Sequence, residues 1–511
     1  MQGKSLAFGP FVFDAASATL WRGEALVPLG GRATALLAAL LGADSAVVTK
    51  ADLMERAWPG LFVEEGNLAV QIANLRKVLG TRPDGQEWIA TVARVGYRLL
   101  HDSGGSSTLS GMPSFAVLPF VNMSGDPEQE YFADGMVEDM ITAFSRFKSF
   151  SVVARQSSFV YKNRAVDIRL VAKELGVRYV LEGSVRRTGE RIRVSAQLID
   201  GANGEHLWAE NVDGTIEGVL DFQDRITESV VGLIEPQIRK AEIERARRKR
   251  PENLNAYDLY LQALPMVYGK RIARVDDYGP VLRVLERAIA LEPGFAPALA
   301  MAASMHEFRF TLKGVAPPGV DDAALAVSLS ARALAADPND PMVLMVAGAI
   351  RMTIIGDSDG GFAMINQARE LNPNSMLILN AAAFANYHRG DYDAAIECNL
   401  RSLRLTPGSP DCFWAYRGIS RSHISAGRVE ESLAWAERAL ATPIVAYSAH
   451  CLAAACYAHL GRIEEARAAV KNAISIWPDV TIEGFLGDDA RPQTRDRLLV
   501  EGLRAAGMPE G

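Results

Sequence analysis

Between Glu64 and Gly80 the apolar residues Leu68, Ile72, Leu75 and Leu79 stand 4, 3 and 4 positions apart. That spacing predicts a helix with one apolar stripe turned to a core. At about 100° per residue, Asn67, Val70, Asn74 and Lys77 fall opposite the stripe, and Gln71 and Arg76 flank it. The next patterned stretch, WIATVARVGYRLL from Trp88 to Leu100, reads as a hairpin closing on Gly96, Tyr97 and Arg98. A helix followed by a two-stranded wing is the order of a module that lays one helix in the DNA major groove and the wing beside it. Asn and Gln amides pair with adenine edges, a Val side chain touches a thymine methyl, and Arg76 and Lys77 suit phosphates.

Ser103–Ser114, SGGSSTLSGMPS, is uncharged and rich in Gly and Ser, the composition of a flexible linker. Beyond it FAVLPF predicts a buried strand, EYFADGMVEDMITAFSRF a helix, FSVVAR a second strand and DIRLVAKELGV an amphipathic helix ending near Gly176. YVLEGSVRRTGERIRVSAQLID then alternates about Thr188, Gly189 and Glu190 as a hairpin does, so the block predicts an α/β sandwich. The charged run EPQIRKAEIERARRKR, Glu235–Arg250, reads as a solvated linker helix.

From about Asn253 a repeat sets in. A glycine is followed five positions on by a small residue, and a proline comes 16 or 17 positions after the glycine. The copies are Gly356, Gly361 and Pro373; Gly390, Ala395 and Pro407; Gly427, Ser432 and Pro443; and Gly461, Ala466 and Pro478, with earlier units marked by Pro293 and Pro338. The prolines of the four full copies recur every 34 to 36 residues, a period that means paired helices; the earlier units are more divergent. The glycine serves the turn inside a pair, the small residue lets helices approach, and the proline ends the second helix. Stacked pairs leave a concave groove suited to a peptide or a partner helix.

Over the first 100 residues the chain resembles the winged-helix output domain of the OmpR/PhoB class, in the variant of CadC-like and ToxR-like regulators. The resemblance is carried by FGPFVFD, LWRGEALVPLG, RATALLAALL, TKADLMERAWPG, NLAVQIANLRKVLG and TVARVGYRL. It implies base contacts from Asn67, Val70, Gln71 and Asn74, and backbone or wing contacts from Arg76, Lys77, Arg94, Tyr97 and Arg98. Ala93, Ala73 and Asn74 stand where related sequences often carry Arg, so base preference is not carried over. The middle block resembles a TolB N-terminal-like domain through LPFVNMSGDPEQEYFADGM, YVLEGSVR and the run to LIDGANGEHLW. The repeats resemble tetratricopeptide repeats through RGDYDAAIECNLRSLRLTP and LGRIEEARAAVKNAISIWP.

At 511 residues and 49% apolar the chain can build several cores. Its net charge is −7, yet residues 1–100 hold ten Lys plus Arg against nine Asp plus Glu, a net of +1. Phosphate neutralisation supplies much of DNA affinity, so one copy should bind weakly and useful occupancy calls for a homo-oligomer on tandem half-sites. No apolar run reaches the roughly 18 residues of a membrane span and no signal segment opens the chain, so a cytoplasmic protein with no membrane contact is expected. The output domain starts almost at Met1, so no aspartyl phosphorylation switch is expected in cis.

Cys398, Cys412, Cys451 and Cys456 lack paired spacing and read as reduced, buried thiols. Of His450, Cys451, Cys456 and His459, only Cys456 and His459 share a helix face, so no metal is expected. Asp126, Glu128, Glu130 and Asp134 lack an EF-hand pattern, no Walker A or GxGxxG loop occurs, and no nucleophile has a visible partner. Neither an enzyme nor a cofactor is expected.

The expected architecture is multidomain α+β: a winged helix-turn-helix over 1–101, a linker over 102–113, a central α/β sandwich over 114–235, a charged linker helix over 236–252, an all-α repeat solenoid over 253–490 and a tail over 491–511. The function expected is transcriptional regulation: the winged helix reads double-stranded DNA, and the other domains take a ligand in the α/β block or a protein or peptide in the groove. The alternative is an interaction scaffold whose winged helix has weak or no sequence-specific DNA binding.

Overall fold

The computed structural model describes residues 5–14, 17–23, 25–43, 47–61, 63–82, 87–92, 96–99, 112–124, 126, 128–164, 166–215, 219–268, 278–311, 316–405, 409, 412–444, 446–486 and 496–511. The chain forms two units, Met1–Ser145 with Ser149–Asp224, and Arg146–Lys148 with Arg225–Gly511.

The first unit opens with an antiparallel sheet of β1 (Ser5–Phe8), β2 (Phe11–Asp14), β3 (Thr19–Arg22) and β4 (Ala25–Val27), in that order. Alternation sets its faces: Phe11, Phe13 and Leu20 are buried while Val12 and Trp21 are exposed. There follow α1 (Gly31–Gly42), β5 (Val48–Thr49), α2 (Lys50–Ala57), α3 (Glu65–Leu79), β6 (Ile89–Val92) and β7 (Gly96–Leu99). The three late strands form a sheet in the order β5-β7-β6. Thr49 starts α2 by accepting from the Asp52 amide, satisfying an N–H that the helix leaves unpaired. One core gathers Phe8, Phe11 and Phe13, Leu36, Leu37 and Leu40 of α1, Leu53 of α2, the whole α3 stripe and Trp88.

The same unit continues through β8 (Ser114–Val117), β9 (Val121–Asn122), α4 (Glu128–Ser145), β10 (Ser151–Val152), α5 (Arg155–Phe159), α6 (Ile168–Leu175), β11 (Tyr179–Thr188), β12 (Arg191–Asp200) and β13 (His206–Thr215). The sheet runs β10-β8-β11-β12-β13, with β9 also on β11. β8 lies parallel to β10 and β11, and β11, β12 and β13 are antiparallel. Phe115, Phe144 and Phe150 meet edge to face in its core, Phe115 and Phe144 at 4.7 Å. The sequence pattern missed β13, whose residues show no buried alternation. It is held by backbone pairing to β12 and by Arg193–Asp213 at 2.6 Å.

The second unit is helical. It contains α7 (Val219–Arg248) from Arg225 on, then the pairs α8 (Ala256–Tyr268) and α9 (Tyr278–Leu291), α10 (Ala296–Thr311) and α11 (Asp322–Ala336), α12 (Pro341–Ile350) and α13 (Ser358–Leu371), α14 (Met376–His388) and α15 (Tyr392–Leu405), α16 (Cys412–Ser425) and α17 (Val429–Leu440), and α18 (Tyr447–His459) and α19 (Ile463–Ile476). Two last helices follow, α20 (Ile482–Leu486) and α21 (Arg497–Ala505). The turn glycines Gly356, Gly390, Gly427 and Gly461 have φ of +80°, +82°, +81° and +76° with open space around each. Backbone conformation, not crowding, is what demands glycine there. Ala395, Ser432 and Ala466 are fully buried, as close helix approach requires.

The charged run read as a linker is the end of the 30-residue α7. Ile226, Val230, Val231, Ile234 and Ile238 form a buried stripe on that helix, and Arg401 meets its Glu228 at 2.5 Å. Its charges are paired locally, Arg245 with Glu242 at 2.7 Å and Lys249 with Asp258 at 2.6 Å. Residues 497–505, read as part of a tail, form α21. No helix among the described residues is long and apolar enough to cross a membrane.

Candidate nucleic-acid interface

α3 is fixed at both ends. Lys50 of α2 meets Glu65 in its first turn at 2.5 Å, and that hydrogen bond raises the Lys50 pKa. At the far end Gly80 takes φ +71°, and Arg22 donates to the Leu79 carbonyl at 3.2 Å, covering an oxygen the helix leaves unpaired. Arg22 also lies 4.6 Å from the Phe11 ring centre. Sequence reasoning missed this anchor, since nothing local links residue 22 to residue 79.

With Leu68, Ile72, Leu75 and Leu79 buried, Asn67, Val70, Asn74 and Lys77 are exposed and Gln71 is half-buried. Val70 is 58% exposed. The side chains of Asn67 and Asn74 make no hydrogen bond to another described residue. Two amides, a methyl-bearing side chain and an ammonium thus line one face with no side-chain partner among the described residues, chemistry suited to base edges and a phosphate.

The remaining expected contacts sit differently. Arg76 donates to the Ile89 carbonyl from Nε at 2.9 Å and from Nη2 at 2.7 Å, donates to Thr91 Oγ1 at 2.7 Å, and meets Glu87 at 2.8 Å. Its guanidinium pins β6 to α3. Tyr97 is buried, opposite Val48 on one side and Thr91 on the other. Arg98 reaches α6, where Nη1 donates to the Leu175 carbonyl at 3.3 Å. Burial lowers the Arg98 pKa, and its buried Nε meets no hydrogen-bond partner among the described residues. Gly176, at φ +68°, completes this contact: a Cβ there would stand 1.6 Å from Arg98 Nη1. The cation covers the negative end of α6. Arg94 lies outside the described residues.

The other sequence candidates do not converge on a site. Lys162 holds Asp134 at 2.6 Å and Glu130 at 2.8 Å. Cys456 donates to Ser432 Oγ at 3.1 Å, and His459 Nε2 lies 2.6 Å from the Leu498 carbonyl oxygen. All four cysteines are buried, and burial pushes Cys451 up to about 12 and Cys456 up to about 11. Of the aromatics on the repeat helices, Tyr416 packs on Trp435 at 5.8 Å and Trp414 is exposed beside Phe413.

A helix held with its polar face outward, backed by a hairpin wing, defines the output module of a transcriptional regulator. The family described as "Transcriptional regulatory protein, C terminal" matches residues 23–99. "HilA/YgeH-like transcriptional regulator, second domain" matches 110–229, the block expected from the sequence to be TolB-like, and "Tetratricopeptide repeat" matches 374–442. The chain therefore carries an OmpR/PhoB-type winged helix, a HilA-like regulator domain and tetratricopeptide repeats.

Among individual proteins it is 23% identical over 422 residues to the transcriptional regulator HilA of Salmonella typhimurium, covering 80% of this chain and 71% of that one. It is 41% identical over 235 residues to the putative adenylate cyclase 3 of Rhizobium meliloti, covering 46% and 39%. It is 32% identical over 101 residues to the transcriptional regulatory protein TcrA of Mycobacterium tuberculosis, covering 20% and 40%. The chain thus spans about two fifths of the length of two of these relatives.

Proposed function

We propose that this chain is a cytoplasmic DNA-binding transcriptional regulator in which α3 enters the major groove. The observation that carries this reading is the outward row of Asn67, Val70 and Asn74, whose side chains make no hydrogen bond among the described residues, on a helix fixed at both ends. Those residues, with Gln71 on their flank, read bases, and Lys77 neutralises a phosphate. Arg76 is a positioning residue, holding the wing to the reading helix. Arg94 is the wing's phosphate contact by its place in the sequence pattern.

Because Arg22, Lys50, Arg76 and Arg98 are engaged within the unit, few cations remain for phosphates, and two copies on tandem half-sites supply the missing affinity. The HilA-like and repeat domains receive the signal, a ligand or a protein segment, and pass it on as a change in assembly or exposure of the winged helix. HilA, named a transcriptional regulator, is similar over most of the chain, which supports the reading.

Anisotropy titrations of labelled duplexes at several salt concentrations test it. Affinity should fall steeply with salt, and Asn74→Ala should narrow the gap between the preferred and a scrambled duplex. Salt-independent binding, or equal preference in the variant, would favour the second reading. That reading is an interaction scaffold whose winged helix has lost sequence-specific affinity, and the engaged cations support it. We also read the chain as non-enzymatic; cyclic AMP formed from ATP above a blank would overturn that, a check prompted by the name of the Rhizobium relative.

A further inference from the structure

The first helices of successive repeats pack on one another, α10 on α12, α12 on α14, α14 on α16 and α16 on α18, and so form the inner layer of the stack. A helix continuing the solenoid would pack closely on the preceding second helix, as α16 does on α15 and α18 on α17. The close contacts of α21 are instead with α18 and α16. It lies across the inner layer.

Its anchors fall on three first helices. Asp496, at the N-cap position of α21, is buried and accepts from the Tyr387 hydroxyl of α14 at 2.6 Å. Arg421 of α16 stands 3.5 Å from the same carboxylate, donates to the Tyr387 oxygen at 3.0 Å and lies over its ring at 4.9 Å. On α18, His459 meets the Leu498 carbonyl. Gly502 faces the Ala455 backbone so closely that a Cβ would stand 2.6 Å from the Ala455 oxygen. Leu499, Val500 and Leu503 are buried, and Arg497, Glu501 and Arg504 are exposed. Past α21 the chain returns to pair with α20, Ile482 N donating to the Pro509 carbonyl at 2.8 Å. A nine-residue helix is not stable alone, so the groove supplies its order. This is helix-in-groove recognition within one chain.

We propose that the inner face of the last three repeats is a helix-binding site closed in cis by α21, and that its partner is a protein helix of the same chemistry. Such a helix carries a carboxylate at its N-cap, a glycine-sized residue six positions on, and branched apolar residues three, four and seven positions on. The proposal deepens the reading of the repeats as a partner site and rests on it, but it does not depend on DNA binding. A partner must displace α21, whose tether gives it an effective concentration on the order of millimolar.

The test uses the full chain, its Gly502→Val and Asp496→Asn variants, and a fluorescent peptide of residues 496–511. Each substitution loosens α21 through a different contact and leaves the groove intact. Anisotropy should show the peptide binding each variant at least about tenfold more tightly than the wild-type chain, where the tethered helix competes. The peptide carrying Gly502→Val should bind none of them. Equal binding by all three chains, or by none, overturns the proposal. Loss of cooperative melting of the repeats in both variants overturns it too, because α21 would then be part of the solenoid core. A variant that takes up no peptide and doubles in mass would overturn the assignment of a partner helix, the groove then being filled by a second copy.

Discussion

The outward face of α3 and the inner face of the last repeats are both helical surfaces with polar and apolar residues in register, yet the fold treats them in opposite ways. On α3 the Asn67 and Asn74 amides have no partner within the described structure, and Val70 is left in water. On the repeats Tyr387, Arg421 and Asp496 satisfy one another, and α21 covers the apolar surface around them. A surface that leaves hydrogen-bonding groups unused on a rigid frame is ready for a ligand. A surface whose groups are already paired must exchange one partner for another. The α3 face is open and the inner face of the last repeats is covered by α21, the difference on which the proposed readout and the proposed switch rest.

Two leucines give the largest effects and separate the two surfaces. Leu75 of α3 and Leu503 of α21 are each 0% exposed, and truncating either to Ala should cost about 2–5 kcal/mol. Leu75→Ala should unfold the winged helix and abolish DNA binding. Leu503→Ala should raise hydrogen exchange in α21 while DNA affinity stays unchanged, and a loss of DNA binding there would break the distinction.

A second polar group in the inner layer, Glu307 of α10, sharpens the contrast. Burial pushes its pKa from 4.5 up to about 7, against a hydrogen bond from Thr353 that lowers it. Because the folded value is the higher one, its contribution to stability is complete below about pH 4.5, falls as pH rises toward 7 and changes little beyond. The loss is at most roughly 3 kcal/mol, and Glu307→Gln should flatten that part of the pH profile. Urea midpoints at pH 5 and pH 8 check this, and an unchanged pH difference in the variant would count against it.

Smaller effects belong to the open face. Asn74→Ala should reduce discrimination at one base pair by about 1–3 kcal/mol, read from competition between duplexes. Arg98→Ala and Gly176→Asn should destabilise the first unit alike, by about 1 kcal/mol, without changing the salt slope of DNA binding. A reduced slope in Arg98→Ala alone would instead make Arg98 a phosphate contact. Lys77→Ala should lower the slope of log affinity against log salt by about 1 and leave preference intact.

The α3 stripe and the repeat period were legible because each is a local pattern tied to a local cause, a helical face in one case and a positive-φ glycine turn in the other. The ends of side chains were not. Arg76 and Arg98 look like phosphate ligands in the sequence, but the Ile89 and Leu175 carbonyls lie within their reach only after folding. Tyr97 sits in a wing pattern, yet the sheet buries it. β13 is an edge strand held by backbone pairing to one neighbour, so its side chains carry little signal. α21 is too short to stand out as a helix, and its reason for folding lies in residues up to 109 positions away.

Selection of bound fragments from sheared genomic DNA, run with the wild-type chain and with Asn74→Ala at two salt concentrations, tests the central claim most directly. The account predicts a recurring, tandemly repeated motif recovered by the wild type at low salt, weakened at high salt and degraded in the variant. No enrichment by the wild type, or the same motif recovered equally by both proteins, would contradict it.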